Sequence, residues 1–336
     1  MPGGALSLRD VLASGSPSYS FEFFPPKTDD GERALWSALH ELEPLAPTFV
    51  SVTYGAGGTT RERTVGITGR IQAETTLTAM AHLTCVGATV EQLRAVVGQY
   101  ADAGVRQVLA LRGDPPGGPG TPWLPSPGGL DHAVDLVRLV RSLGDFTVGV
   151  AAFPEGHPEA PSLRADAEVL ARKQDAGADL AVTQFFFRAS DYFGLLERAS
   201  AAGVTMPILP GLMPVTNVAQ LDRFAVLSGA AFPAALAERF DAVREDAEAV
   251  RALGVDVATE LAAELLAGGA PGLHFYTLNR STATREVYAR VVPPPRRPDL
   301  PPPRRPDLPP PRRLDLPPPP SPLSPGLAPS PGLPRE

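Results

Sequence analysis

The chain has 336 residues, 43% of them hydrophobic, a net charge of -7 and a single cysteine, Cys85. That length allows one large domain or two ordinary ones, and the acidic balance argues against nucleic-acid binding, which needs concentrated Lys and Arg. One cysteine excludes an intramolecular disulfide framework and fits a reducing compartment. With no signal-peptide pattern in MPGGALSLRD and no uncharged run long enough to span a membrane, a cytoplasmic protein is expected.

In chain order, the first element is SYSFEFFPPKT, residues 18–28, a strand stopped by Pro25 and Pro26. Glu22 sits there among Tyr19, Phe21, Phe23 and Phe24, and a carboxylate in such company is costly to bury unless it is paired or protonated. Further strands are expected at 49–53, 78–83, 107–111, 147–152, 180–184, 206–210 and 273–276. Helical patterns lie between them at 32–43, 61–74, 90–103, 131–143, 163–176, 191–202 and 218–227, with more between 234 and 266. Gly104, Gly144, Gly177 and Gly203 each follow a helical run, where a C-terminal cap is expected. Strand–helix alternation implies a parallel sheet, and eight strands suggest a closed (β/α)8 TIM barrel. A doubly wound open sheet is the alternative, although no strand-borne GxGxxG supports a dinucleotide-binding unit. From Pro293 the chain turns into PPPRRPDL repeats and a Ser/Pro/Gly run. Such a segment cannot offset its ordering entropy. The expected division is a catalytic barrel over 1–292 and a disordered or polyproline II tail over 293–336, inert or a ligand for a proline-binding module.

In such barrels the chemistry sits at the C-terminal strand ends. Those ends carry Glu22, then Thr53 and Tyr54 before a Gly-rich turn at 55–58, and His82. Next come Arg112-Gly113-Asp114, Phe153 with His157 beyond it, Gln184 before Phe185, Phe186 and Phe187, and finally Arg280 after the last strand. Alternation puts Ser20, Glu22 and Phe24 on one face of the first strand and Tyr19, Phe21 and Phe23 on the other. The smaller, polar set is expected toward the barrel mouth, where burial would raise the Glu22 carboxyl pKa toward neutrality and suit a general acid. A structural carboxylate bridged to an Arg is the competing reading. Asp114 can equally cap a turn before Pro115. Arg172 and Lys173 can form a solvated helix face, and His82 can be a satisfied core histidine whose spacing fits no zinc site. No metal site is expected.

The stretches SFEFFPPKT, SVTYGAGG, AHLTC, LALRGDPP, GHPEA, TQFFF, PILPGLMPVTN and HFYTLNR occur in this order over roughly residues 17–290, and with them the chain resembles the bacterial single-domain methylenetetrahydrofolate reductases. The resemblance implies a (β/α)8 barrel with bound FAD that takes electrons from NADH or NADPH and reduces 5,10-methylenetetrahydrofolate to 5-methyltetrahydrofolate. That reaction belongs to one-carbon metabolism and feeds methionine synthesis. It implies Glu22 as the acid that opens the folate's five-membered ring, and Asp114 as a carboxylate tuning the flavin and contacting the pterin. It implies an FAD set of Thr53, Tyr54, His82, Arg112, Gly113, Asp114, Ala133, Phe153, His157, Ala160, Asp166, Arg172 and Lys173. The folate contacts it implies are Asp114, Gln184, Gln220, Phe224 and Arg280. A homo-oligomer is implied as well. Phe153 stands where the family commonly has Tyr and Val169 where it can have Asn, so two possible cofactor hydrogen bonds are lost. A non-enzymatic barrel whose tail docks a partner is the alternative class, and the joint presence of Glu22, Asp114 and Gln184 weighs against it.

Overall fold

In the computed structural model, which describes residues 8–54, 61–115, 121–220 and 232–292, the apolar runs become parallel strands and the amphipathic stretches become helices between them. A short helix α1 (Leu8–Ala13) precedes β1 (Ser18–Phe23), α2 (Asp29–Leu42), β2 (Phe49–Val52), α3 (Arg61–Glu74), β3 (Ala79–Thr84), α4 (Val90–Asp102) and β4 (Gln107–Leu111). Then come α5 (Ala133–Leu143), β5 (Thr147–Ala152), α6 (Leu163–Asp175), β6 (Leu180–Thr183) and α7 (Ala189–Ala201). Two very short strands, β7 (Ile208–Leu209) and β8 (Gly211–Leu212), lead to α8 (Ala234–Asp241), α9 (Ala247–Ala267), β9 (Gly272–Tyr276) and α10 (Ser281–Val291).

The strand order is β7-β6-β5-β4-β3-β2-β1-β9-β8. The nine pieces make eight staves, because β7 and β8 are halves of one stave interrupted at Pro210, which has no N–H for the ladder. Ile208 and Leu209 pair with Ala181 and Val182 of β6, while Gly211 and Leu212 pair with His274 and Phe275 of β9. The His274 amide donates to the Pro210 carbonyl at 2.9 Å, so a bond to β9 persists across the interruption. The result is the nearly closed (β/α)8 barrel expected from the alternation, and the open doubly wound sheet is excluded.

Period-two alternation sorts β1 as the sequence implies. Phe21 and Phe23 point outward and are fully buried in the main core with Leu35 and Leu39 of α2, and Phe21 stacks on Phe275 at 5.2 Å. Ser20 and Glu22 point inward. Lower in the barrel, Phe49, Met80, Leu109, Leu180, Val182 and Leu209 form an inner cluster on which Leu8 of α1 packs, so the interior is filled rather than hollow. Arg9 holds α1 in place by ion pairs to Asp145 at 2.6 Å and Asp179 at 2.9 Å. Helix starts are capped locally: Thr28 accepts from the Gly31 amide, and Thr89 forms a capping box with Gln92. Gly104 (φ +77°) and Gly203 (φ +86°) follow α4 and α7 in the left-handed region, which only glycine enters freely.

Two helices lie outside the sequence expectation, α1 and α10. Tyr288 of α10 meets Tyr19 edge-on at 5.4 Å, so this helix covers the outer face of β1. Of the helix expected at 218–227, residues 218–220 are helical and the rest, like the tail at 293–336, lies outside the described residues. Among the described residues no helix is long and apolar enough to cross a membrane.

Candidate active site

Because every pairing is parallel, the C-terminal ends of all the staves open on one mouth. Glu22 stands there on β1 with 6% of its surface exposed. The register sets Ser20 opposite His274 and Glu22 opposite Tyr276 on β9. His274 Nε2 lies 3.3 Å from Glu22 Oε2, and its Nδ1 lies 2.8 Å from the Ser20 hydroxyl. From β3, His82 Nε2 comes within 3.4 Å of the same Glu22 oxygen. It misses hydrogen-bond alignment, so this contact is electrostatic. The expected upward pKa displacement is therefore corrected. Burial does push the Glu22 carboxyl up, but the charge of His82 and the hydrogen bond from His274 outweigh it and bring it down to about 2. The carboxylate is paired, with imidazoles and not with an Arg.

The β9 exit locks the β1 exit. Thr277 donates its hydroxyl to the Glu22 carbonyl at 2.6 Å. Asn279 grips the Phe24 backbone with both ends of its amide, accepting from N–H at 2.7 Å and donating to C=O at 2.8 Å. Leu278 and Asn279 take φ of 50° and 59° to make this turn, a conformation Asn tolerates and Leu rarely adopts.

A second cluster lies at the exits of β4 and β5. Arg112 makes a forked ion pair to Glu159 at 2.6 and 2.7 Å and lies over the Trp123 ring at 4.8 Å. That pairing raises its already high pKa. Phe153 meets His157 edge-on at 4.8 Å. Burial, reinforced by Arg112, lowers the His157 pKa. The His157 backbone reaches Asp166 on α6, whose carboxyl is raised by burial against the pull of Lys173. Lys173 is 8% exposed. Its ammonium donates to the Ala151 carbonyl at 2.8 Å, and burial lowers its pKa from 10.5 to about 8. Lys173 is thus no solvated surface residue, whereas its neighbour Arg172 is exposed. Gly113 (φ +87°) leaves no room for a side chain, since a Cβ there would lie 2.6 Å from Val86 Cγ1. The buried Thr84 hydroxyl beside it has no partner among the described residues. A buried ammonium, an exposed guanidinium and a backbone cradle suit a ligand carrying phosphates.

The methylenetetrahydrofolate reductase family model matches residues 7–292. The chain belongs to this family. The 5,10-methylenetetrahydrofolate reductase of Escherichia coli (strain K12) is 43% identical over 281 residues, covering 82% of this chain and 93% of its own. An Arabidopsis thaliana relative, methylenetetrahydrofolate reductase (NADH) 1, is 38% identical over 283 residues, which is 81% of this chain and 48% of the plant protein. Among solved structures, an uncharacterized protein from Clostridium thermocellum that binds two copies of 5-methyl-5,6,7,8-tetrahydrofolic acid aligns with a TM-score of 0.57 at 14% identity. It covers 85% of this chain and 98% of its own, a likeness in fold. Family membership makes the chain an oxidoreductase whose reaction converts methylenetetrahydrofolate to methyltetrahydrofolate.

Within the family frame the remaining expected residues distribute unevenly. Thr53 and Tyr54 leave β2 at the mouth, where the Thr53 amide donates to Phe23 O at 2.8 Å. Ala133 begins α5, and the Ala160 amide turns back onto the His157 carbonyl at 2.8 Å. Asp114 is exposed beside Arg112, on which it acts electrostatically. Gln184 is half-buried, its Oε1 accepting from the Phe185 amide at 3.1 Å. Gln220 Oε1 accepts from the Thr216 and Asn217 amides at 2.6 and 3.2 Å, a local turn bond. Arg280 is exposed at the start of α10 and makes no side-chain cap there. Phe224 and the turn at 55–58 lie outside the described residues. Phe185 and Phe186 are core packing, Phe186 stacked on Tyr192 at 6.0 Å.

Sequence reading missed His274, Glu159, Trp123 and Asn279. His274 carried a faint signal, since it sits in HFYTLNR and alternates with outward apolar residues as Glu22 does. Its partner, however, is 252 positions away, and only the β1–β9 register joins them.

Proposed function

We propose that the barrel over 1–292 binds FAD at its mouth and, with NADH or NADPH as electron source, reduces 5,10-methylenetetrahydrofolate to 5-methyltetrahydrofolate for one-carbon metabolism and methionine synthesis. The observation that carries this reading is the pairing of two unlike clusters on one mouth: a buried, imidazole-bound Glu22, and a phosphate-suited set around Arg112 and Lys173. FAD held there would take a hydride from the nicotinamide and deliver it to the folate. Lys173, Arg112 and the Gly113 backbone are the groups to hold the phosphates, with Thr53, Tyr54, His82, Ala133, Phe153, His157, Ala160, Asp166 and Arg172 around the rest. Phe153, with no hydroxyl, contributes by fixing the His157 ring edge-on. Asp114, Gln184, Gln220, Phe224 and Arg280 are assigned to the folate, Arg280 to its anionic glutamate end.

Glu22 is assigned the proton step. Opening the folate's five-membered ring is assisted by protonating the bridging nitrogen; Glu22, held ionised in the ligand-free protein by its imidazole neighbours, would take up a proton with substrate bound before making that transfer. A cytoplasmic homo-oligomer, with the segment 293–336 outside the barrel, completes the proposal. Its test is an absorption spectrum of the purified protein. Flavin bands that bleach anaerobically on adding NADH or NADPH are expected, and a colourless protein that takes up no added FAD refutes the reading.

A further inference from the structure

We infer that Gly254 of α9 is a positioning residue for folate binding: having no side chain, it lets the helix press on the Val215 backbone and so fixes the turn that carries Gln220. This rests on the assignment of Gln220 to the folate. Gly254 is buried in the middle of α9. A Cβ built on it would lie 1.7 Å from the Val215 carbonyl oxygen, 2.7 Å from the carbonyl carbon and 3.2 Å from the Val215 nitrogen. All three are backbone atoms, so no rotamer change relieves the overlap, and either the helix or the turn has to move. Glycine is a poor residue for a helix interior. At Gly66 of α3 and Gly98 of α4 a built Cβ meets nothing within 4 Å, so a side chain would fit there. At Gly254 alone of these three the missing side chain is what permits the packing.

Val215 follows β8 closely and is itself buried, in a satellite cluster with Phe185, Leu236, Phe240 and Val250. Val218 and Tyr276 pack on the edge of that cluster. The segment is therefore gripped from two sides. On one side is α9; on the other are residues of the mouth, since Phe185 follows Gln184 and Tyr276 stands opposite Glu22 in the β1–β9 register. Directly after Val215 the chain makes a reciprocal cap. Asn217 Oδ1 accepts from the Gln220 amide at 3.1 Å, and Gln220 Oε1 accepts from the Asn217 amide at 3.2 Å. Gln220 Oε1 also accepts from the Thr216 amide at 2.6 Å and the Thr216 hydroxyl at 3.1 Å. With three donors on that oxygen, the Gln220 side chain has only its NH2 hydrogens left for a ligand. Its partner on the folate is then an acceptor, a carbonyl or carboxylate oxygen. The place of that NH2 group is set by the turn, and the turn is seated on α9 by the contact at Gly254.

The test uses the full-length, flavin-loaded protein and the variant Gly254→Ala, with Gly98→Ala as control. Gly98→Ala should leave the folate kinetics parent-like and raise the melting temperature by about 2 °C, because Ala is the better helix residue. Gly254→Ala should keep the flavin content and visible spectrum of the parent. Its KM for methylenetetrahydrofolate and its Kd for 5-methyltetrahydrofolate should rise by about 10-fold, the scale of one lost hydrogen bond, while kcat falls by less than about threefold. A merely structural glycine would lower the melting temperature and leave KM and Kd as they are, and that result overturns the inference. A second readout needs no substrate. Amide hydrogen exchange at Thr216 and Asn217, which donate to Gln220, should speed up by about 10-fold or more in Gly254→Ala. Parent-like exchange overturns the inference even where KM rises. Should Gly254→Ala fail to fold, Ala258→Val carries the test: Ala258 lies one helical turn further on and lines the same narrow apolar slot as Val215 and Gly254. The same rise in KM and exchange is expected of it, and parent-like values overturn the inference. A parent protein that takes up no FAD refutes the functional reading and this inference with it. A parent that binds FAD and folate, beside a Gly254→Ala that binds both equally well, refutes the inference alone.

Discussion

Replacing Lys173 by Met should make the flavin-free protein more stable and the flavin complex weaker. The ammonium is buried, and its pKa falls from 10.5 to about 8, chiefly through loss of water. At about 1.4 kcal/mol per pH unit, that displacement costs the folded state about 3 kcal/mol. The sign follows from proton binding. Between about pH 8 and 10.5 the unfolded chain holds the proton and the folded one does not, so stability rises with pH through that window. Below pH 8 the whole cost is present; above 10.5 it is gone. Met keeps the length and apolar stem and drops the charge. It also forfeits the bond to Ala151, worth about 1 kcal/mol. The net expectation is a gain of about 2 kcal/mol at pH 7 that shrinks toward pH 10, read by urea unfolding of flavin-stripped protein. FAD affinity should fall roughly 30-fold, the scale of one charge-assisted contact. A variant less stable than the parent at pH 7, or one whose gain is the same at pH 7 and pH 10, would refute the account of a strained cation awaiting an anion.

Removing residues 293–336 should change melting temperature and turnover little, because the family match ends at 292 and the PPPRRPDL repeats offer few apolar groups to bury; a drop of several degrees in a thermal melt would show that the prolines stabilise the barrel. Asn279→Gly should cost about 1 kcal/mol by freeing the Phe24 backbone, and Asn279→Ala about 1 kcal/mol more for its left-handed φ. Equal urea midpoints for the two variants would mean that backbone strain at this turn is negligible.

The barrel was legible because its signals are local. Apolar runs of strand length, helical periodicity and glycines after helices each depend on neighbours within a few residues. The eighth stave shows the limit. Pro210 ended the expected strand at 206–210, yet the stave resumes at Gly211–Leu212, held by pairing to β9 that no local pattern records. Helix α1 is six residues long, too short for a periodic signal, and is fixed by Arg9 reaching Asp145 and Asp179 far along the chain. At the site, residue types and strand ends were readable, and so was the inward face of β1. The electrostatics were not. Whether burial raises or lowers Glu22 depends on His82 and His274, delivered by two other strands. Likewise Lys173 and Arg172 are adjacent in sequence, but the helix turns one under the barrel rim and the other to solvent.

The acid role proposed for Glu22 calls for a partner like histidine, which a purely structural ion pair would not need. An arginine at position 274 would satisfy the buried carboxylate as well or better, but a guanidinium never surrenders its proton in a protein. Lysine at such a site would lend one only after losing several kcal/mol to burial, as Lys173 illustrates on the other side of the mouth. Imidazole, with an ordinary pKa near 6.5, is charged enough to hold a carboxylate and weak enough to give its proton back. The two clusters therefore have to stay apart. Permanent cations next to Glu22 would keep it ionised through every turnover, while imidazoles next to a phosphate would bind it only at low pH. Arg112 stands at the β4 exit and Lys173 of α6 bonds the end of β5, while His82 on β3 and His274 on β9 flank Glu22 on β1, so the permanent cations and the imidazoles occupy different parts of one mouth.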